Sequence, residues 1–280
     1  MTDIDLAKMP FLVEGEPSFA RPVSQLVSAS QICSARFEHW RQFFRWGFGL
    51  NRKLWEYLYI LNVIDTYLGL RDGLKGVGFG TGRERIVPLL ASVGCQIVAT
   101  DYVPPENRRL GWEALGIEDL MVAEVCAETT LRANVAFRHV DMNDIPTDLV
   151  SGAYDFIWSC GSLEHIGGLK NGLDFIEKAM ACLRPGGIAV HTTEFNIVSD
   201  ERTLDSPNMS FYRRSDIEAL AQRLRTQGHQ ITLNFTKGAT VADFHIDREP
   251  FNYPLSINAL VGDFVITSIG LIIQKGNMPI

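Results

Sequence analysis

The sequence predicts an α/β protein built on a doubly wound, mainly parallel sheet. Three observations predict it. From residue 73 onward, apolar β-type runs alternate with helical stretches. The first run, Leu74-Lys75-Gly76-Val77-Gly78-Phe79, enters a glycine-rich turn, Gly80-Thr81-Gly82. The final two strand patterns, 230–236 and 264–274, are joined without a helix and so imply an antiparallel edge pair.

Residues 1–72 precede the first core strand and read as a helical N-terminal cap. From Ser30 to Leu70 the pattern is aromatic-rich, with Phe37, Trp40, Phe43, Phe44, Trp46, Trp55, Tyr57 and Tyr59. Trp40/Phe44 and Tyr57/Leu61 fall at i,i+4 and share a helix face. Such a stripe is usually core. The alternative is a cover over the site, with Lys53-Leu54-Trp55-Glu56 as its edge and an exposed aromatic stacking on a ligand.

The core strands are expected at 74–79, 96–101, 135–140, 154–160 and 187–193, with helices between them. At the first turn, glycines admit positive φ and close approach of the backbone to a ligand. Gln96-Ile97-Val98-Ala99-Thr100 then stops on Asp101. That is about 20 residues past the glycines, where a carboxylate that reads ribose hydroxyls stands in a nucleoside-binding α/β unit. The last helix of this set, 172–183, runs into Leu183-Arg184-Pro185-Gly186-Gly187, whose proline and glycines turn the chain into the next strand. A helix at 214–227 stops at Gly228. The loop at 238–262, rich in Asp, Pro and Asn, contains Asp243-Phe244-His245-Ile246-Asp247, which puts three polar side chains on one face if extended.

The 280 residues suffice for one large domain with additions or for two small ones. A formal net charge of −7 argues against a phosphate-backbone partner. Five cysteines without metal-type pairing read as reduced thiols in a cytoplasmic protein. Met1-Thr2-Asp3-Ile4-Asp5 lacks the order of a signal peptide, and no apolar run approaches the roughly 18 residues of a membrane span.

Arg83 stands where a dinucleotide fingerprint wants its third glycine, and Gly82 completes Gly-x-Gly-x-Gly instead. Asp141-Met142 follows the third strand, Leu163-Glu164-His165 the fourth, and Leu183-Arg184-Pro185-Gly186-Gly187 precedes the fifth. In this order the motifs closely resemble those of the class I S-adenosylmethionine (SAM)-dependent methyltransferases over about residues 73–275. The resemblance implies a Rossmann-like, seven-stranded, doubly wound sheet with its last strand antiparallel. A SAM-binding domain at 73–280 follows the cap at 1–72, and the substrate loop lies at 238–262.

The resemblance also carries roles. Gly78, Phe79, Gly80 and Gly82 line the methionine part of SAM. Asp101 takes the ribose hydroxyls, with Tyr102 beside it. Asp141 accepts from the adenine amino group with Met142 close by, and Ser159 and Cys160 flank the methionine moiety. The family places an acidic residue two before the first motif glycine. Gly76 stands there in this chain, and Glu84 is the substitute for anchoring the SAM amino group.

Methyl transfer to a hydroxyl needs alignment and proton removal. His165, after strand four, is the expected base, since an unperturbed histidine titrates near about 6.5. Glu164 and Glu194 complete the expected catalytic set. A divalent metal such as Mg²⁺ on Glu164, His165 and Glu194 or His191 is the competing mechanism. The Glu164-His165 pair with Glu194-Phe195-Asn196 resembles metal-dependent RNA ribose methyltransferases, but their further glutamate is here Gly161. The expected acceptor is a hydroxyl of a sugar, glycan precursor or other small molecule. RNA or N-methylation, and a SAM-binding module without catalysis, are the alternatives.

Overall fold

The computed structural model describes residues 4–44, 49–102, 112–251 and 255–276. Trp46, one of the aromatics in the N-terminal pattern, lies outside the described residues. In chain order the strands are β1 (Ser24–Leu26), β2 (Leu50–Asn51), β3 (Lys75–Phe79), β4 (Gln96–Asp101), β5 (Val135–His139) and β6 (Tyr154–Cys160). They continue with β7 (Leu183–Asn196), β8 (Leu233–Asn234), β9 (Ile246–Asp247), β10 (Leu255–Ser256), β11 (Asn258–Val261) and β12 (Phe264–Gln274). The helices are α1 (Ala29–Ile32), α2 (Ala35–Arg41), α3 (Arg52–Leu68), α4 (Ile86–Ser92), α5 (Glu128–Asn134), α6 (Leu169–Ala179), α7 (Arg214–Thr226) and α8 (Val241–Phe244).

The chain steps outward from β3 to β4 to β5, then returns to the other side of β3 for β6 and β7. The main path is β5-β4-β3-β6-β7-β12-β1-β8. Order therefore reverses between β3 and β6, and open α/β sheets bind ligands outside the carboxyl ends of strands at such a point. The strands from β5 to β7 pair in parallel, and β12 runs antiparallel to β7 with Ser268 opposite Glu194. Alternation along β6 sends Phe156 and Trp158 to the face covered by α3 and α4, and Ile157 to the face covered by α6 and α7.

The sheet is larger than seven strands: among the described residues it has ten, with β11 and β9 added beside β12. The strand expected at 230–236 shrinks to β8 and does not join β12 directly. β1 inserts between them, antiparallel to β12 and parallel to β8. The N-terminal 72 residues are thus more than a helical cap, because they supply a strand of the sheet and the helix that covers it. Alpha-helix α3 crosses β12, β7 and β6. It seats Tyr59 on Gly270, where a Cβ would stand 2.2 Å from the ring. Tyr59 Oη donates to Val23 O at 2.6 Å, tying α3 to the approach of β1.

Elsewhere the boundaries shift modestly. The helix expected at 172–183 is α6 plus a short 3-10 turn at Met180–Cys182, and β7 begins at Leu183 with a register shift opposite Tyr154 and Phe156. The loop at 238–262 carries α8, β9, β10 and β11, with residues 252–254 outside the described residues. Its Asp243–Asp247 run is not extended throughout: Asp243 and Phe244 close α8, and only Ile246–Asp247 form a strand. Asp243 caps α8 through Thr240 and also accepts from Ala29 N at 2.7 Å, a structural use of the carboxylate.

Candidate active site

The glycine turn follows β3 at the centre of the sheet. Gly80 and Gly82 sit at φ +61° and +52°, conformations that disfavour a Cβ. Gly78 is glycine for a different reason. A Cβ there would lie 2.3 Å from the Trp158 ring and 2.4 Å from Thr81 Cγ2, so packing leaves no room for a side chain. The Phe79 side chain is likewise core, edge-on to Phe175 at 5.1 Å. Only the backbone of these two residues is left for the site.

Asp101 closes β4 beside the turn and is almost fully buried. Its Oδ2 accepts from Gly82 N at 3.2 Å and Ala114 N at 2.9 Å, and its Oδ1 from Tyr102 N at 2.9 Å. Burial pushes its carboxyl up, and the three N–H donors pull back. Acceptor-only oxygens next to a glycine turn fit the vicinal diol of a ribose. Tyr102 is half exposed beside it. Met142 comes to the turn from after β5, its Sδ 3.5 Å from the Cβ position of Gly80. Asp141 spends its Oδ1 in its own turn, accepting from Asn143 N at 2.8 Å and Asn143 Nδ2 at 3.1 Å.

The missing acidic residue at Gly76 has a steric cause. A Cβ at that position would sit 2.3 Å from the Phe156 ring, so no carboxylate side chain fits. Glu84 is buried near the turn and accepts from Trp158 Nε1 at 2.8 Å. Burial pushes its carboxyl well up, against that hydrogen bond. A cationic amino group nearby would let it ionise, which fits the anchoring role.

Ser159 departs from its expected place. Its Oγ meets His191 Nδ1 at 2.8 Å inside the sheet, fully buried. Cys160 is half-buried at the carboxyl end of β6, with Sγ 3.4 Å from Thr192 Oγ1. Burial raises its thiol well above the ordinary range. Burial likewise drives His191 down to about 3, so it stays neutral.

Beyond Cys160 the site becomes ionic. Glu56, Glu164 and Glu194 meet Arg52 and Lys53, three carboxylates against two cations. Arg52 Nη1 donates to both oxygens of Glu194 at 2.7 Å. Glu56 accepts from Ser268 Oγ and from Thr192 Oγ1, the latter at 3.2 Å. Glu164 Oε2 accepts from Thr193 Oγ1 at 2.8 Å, while its buried Oε1 has no hydrogen-bond partner among the described residues. Burial would raise Glu194, but Arg52 and Lys53 outweigh it and hold the carboxyl down at about 2. Burial raises Glu164, and Lys53 only partly offsets it. Lys53 itself is raised, the carboxylates overcoming burial.

Glu164 and Glu194 are thus the expected residues of this site, whereas the Lys53–Glu56 segment is expected as an edge with an exposed aromatic. Trp55 is instead wholly buried and donates to Gln31 Oε1 at 3.0 Å. Arg52 lies outside the expected edge, and Glu56 enters the site as an inward carboxylate and not as part of a cover. Their signal was three charges at i, i+1 and i+4 on a helix otherwise lined by Leu54, Leu58 and Leu61.

His165 does not join this cluster. It is exposed, on a 3-10 turn, with Nδ1 2.8 Å from Asn208 O. Nor do the expected metal ligands assemble. Among the described residues no group of three His, Cys, Asp or Glu side chains is placed to hold a metal. Glu194 is satisfied by Arg52 and Lys53, and His191 is held inside the sheet by Ser159 through Nδ1. The donor set does not fit the divalent ion.

A family model described as a methyltransferase domain matches residues 54–232. No curated protein matches the chain. Solved structures similar to it include magnesium protoporphyrin IX methyltransferase (ChlM) from Synechocystis PCC 6803 with bound S-adenosylhomocysteine (SAH). That pair is 14% identical, covers 88% of this chain and 97% of the other, and has a TM-score of 0.48. A second is 1,6-didemethyltoxoflavin-N1-methyltransferase from Burkholderia thailandensis, at 16% identity, 77% and 76% coverage and a TM-score of 0.43. A third is the CurJ carbon methyltransferase, at 16% identity, 81% and 55% coverage and a TM-score of 0.44. The chain spans only 55–60% of the length of CurJ, of the [4+2]-cyclase SpnF and of a Galdieria sulphuraria protein assigned as a sarcosine dimethylglycine methyltransferase. Likeness at these identities concerns the fold alone. Among the described residues no helix is long and apolar enough to cross a membrane.

Proposed function

The chain belongs to the methyltransferase domain family, and on that premise we propose that it is a SAM-dependent methyltransferase acting on a hydroxyl of a small molecule, such as a sugar or glycan precursor. The observation that carries the reading is Asp101. It stands at the carboxyl end of β4 against the left-handed glycine turn, next to the point where strand order reverses.

In this reading SAM, when bound, supplies an electrophilic methyl group on a cationic sulfur. The chain's residues hold and orient it. Asp101 accepts from the ribose hydroxyls, Glu84 faces the amino group, and Gly80, Gly82 and Met142 shape the turn. Tyr102 and Asp141 belong to the adenosine side. The carboxyl ends of β6 and β7 then present Glu164 and Glu194 to the acceptor. Glu164 is the better-placed base because its Oε1 is buried and unpartnered, whereas His165 is exposed and tied to Asn208. The net charge of −7 speaks for a small acceptor over RNA. Five free thiols speak for a reducing, cytoplasmic setting.

Calorimetry tests the cofactor. SAM and SAH should bind and NAD should bind much more weakly. Asp101→Ala should weaken SAH binding by about 1–3 kcal/mol through loss of charge-assisted hydrogen bonds. Equal affinity for NAD and SAH would sink the assignment. An SAH-release screen of monosaccharides, phenols and amines then identifies the acceptor class.

A further inference from the structure

Within the ionic cluster one side chain alone reaches well out of the interior. Lys53 is 34% exposed, against 11% for Arg52 and 7% or less for Glu56, Glu164 and Glu194. Its Nζ lies 2.9 Å from Glu194 Oε1 and 3.2 Å from Glu56 Oε1. The third approach, to Glu164 Oε1, is 3.9 Å and too long for a hydrogen bond. An ammonium has three donors, and here they face Glu194 Oε1 and both oxygens of Glu56, the contact to Glu56 Oε2 being the longest of these at 3.5 Å and the one an incoming oxygen would replace. Glu164 is 1% exposed, and among the described residues its Oε1 accepts from nothing.

A donor and an acceptor therefore face each other 3.9 Å apart with neither satisfied by the other. One oxygen at about 2.8 Å from each atom spans such a gap. Gly161 borders it with a hydrogen only. A Cβ there would stand 3.2 Å from Lys53 Nζ and 3.4 Å from Glu164 Oε1. The next residue, Ser162, donates from Oγ to Gly80 O at 3.0 Å. Consecutive residues thus touch the Lys53–Glu164 gap and the glycine turn.

We propose that the Lys53 ammonium and Glu164 Oε1 together form the seat of the acceptor oxygen. The proposal rests on the methyl-transfer reading and names its substrate class as a hydroxyl. Lys53 donates a hydrogen bond to the acceptor oxygen while that oxygen's own hydrogen points at Glu164. The oxygen forms its bond to the methyl carbon as the carbon–sulfur bond breaks, the electron pair going to sulfur. The hydroxyl proton passes to Glu164, so a sulfonium and a carboxylate become a thioether and a carboxylic acid. A protonated amine has no lone pair to accept from Lys53, and a carboxylate acceptor has no proton to give Glu164.

The test compares two known probes that differ by one charge. SAM carries a sulfonium and SAH does not. Removing a cation beside the methyl group should favour SAM over SAH, and neutralising a carboxylate there should do the reverse. Calorimetry on the full chain should show Lys53→Met lowering the ratio Kd(SAM)/Kd(SAH) about tenfold, and Glu164→Gln raising it to a similar degree. A general loss of packing weakens both ligands alike and leaves the ratio in place. Glu164→Gln keeps size and shape, so it carries the test if Lys53→Met does not fold. An unchanged ratio in folded Glu164→Gln, or turnover of amines and not of hydroxyls in the acceptor screen, overturns the proposal. If the unsubstituted chain binds neither SAM nor SAH, it is the methyl-transfer reading beneath it that fails.

Discussion

His191 offers the sharpest quantitative handle on the sheet beneath the site. It is completely buried on β7, with Nδ1 2.8 Å from Ser159 Oγ and Nε2 without a partner among the described residues. Burial holds it at about 3, against an ordinary value of 6.5. As pH falls below about 6.5, the unfolded chain binds a proton that the folded chain refuses. The folded value is depressed, so this contribution to stability is full above the unfolded value and is lost as pH falls toward the folded one. At about 1.36 kcal/mol per pKa unit, the loss between pH 7 and pH 5 is about 2 kcal/mol. Asp101, Glu84 and Glu164 are shifted upward and act in the opposite sense. They are common to both proteins and cancel in a comparison with a His191 variant. His191→Asn keeps a polar atom near Nδ1 to meet Ser159 and removes the titration. Urea denaturation at pH 7 and pH 5 should therefore give a variant whose stability falls by about 2 kcal/mol less than that of the unsubstituted chain. An equal fall in both would refute the neutral buried histidine.

Two further substitutions address the turn after β6. Gly172→Ala should destabilise by about 1–3 kcal/mol, because its Cβ would stand 1.7 Å from Tyr212 Oη, which donates to Leu163 O next to Glu164. Adding Tyr212→Phe should recover part of that loss in thermal melts, and no recovery would place the strain elsewhere. His165→Ala should leave turnover within a few-fold, since the ring is exposed and anchored to Asn208 O. A fall of about 10²–10⁴-fold with SAH affinity intact would return the base to His165.

What the sequence revealed follows from what short-range pattern encodes. Period-two apolar runs and a glycine turn are local, so β3, β4, β6 and the Asp101 terminus were legible within a residue or two. The strand at 264–274 was legible to its ends. β1 was not, because three residues at 24–26 have no period to read, and only pairing with β12 and β8 makes them a strand. The ionic site divides in the same way. Glu164 announces itself by following β6 and Glu194 by standing near the carboxyl end of β7, at the edge where such sheets do their chemistry. Glu56 and Arg52 lie more than 100 residues away in sequence, on a helix whose leucines read as core, and charged residues on such a helix ordinarily face solvent. Here they face inward because α3 lays its first turn over the carboxyl end of β7, where Glu194, Thr192 and Ser268 supply the partners that a buried charge requires. The same placement explains why the expected metal ligands found no metal geometry. A lysine and an arginine from the N-terminal segment reached those carboxylates first, and no pattern within residues 154–196 could disclose them.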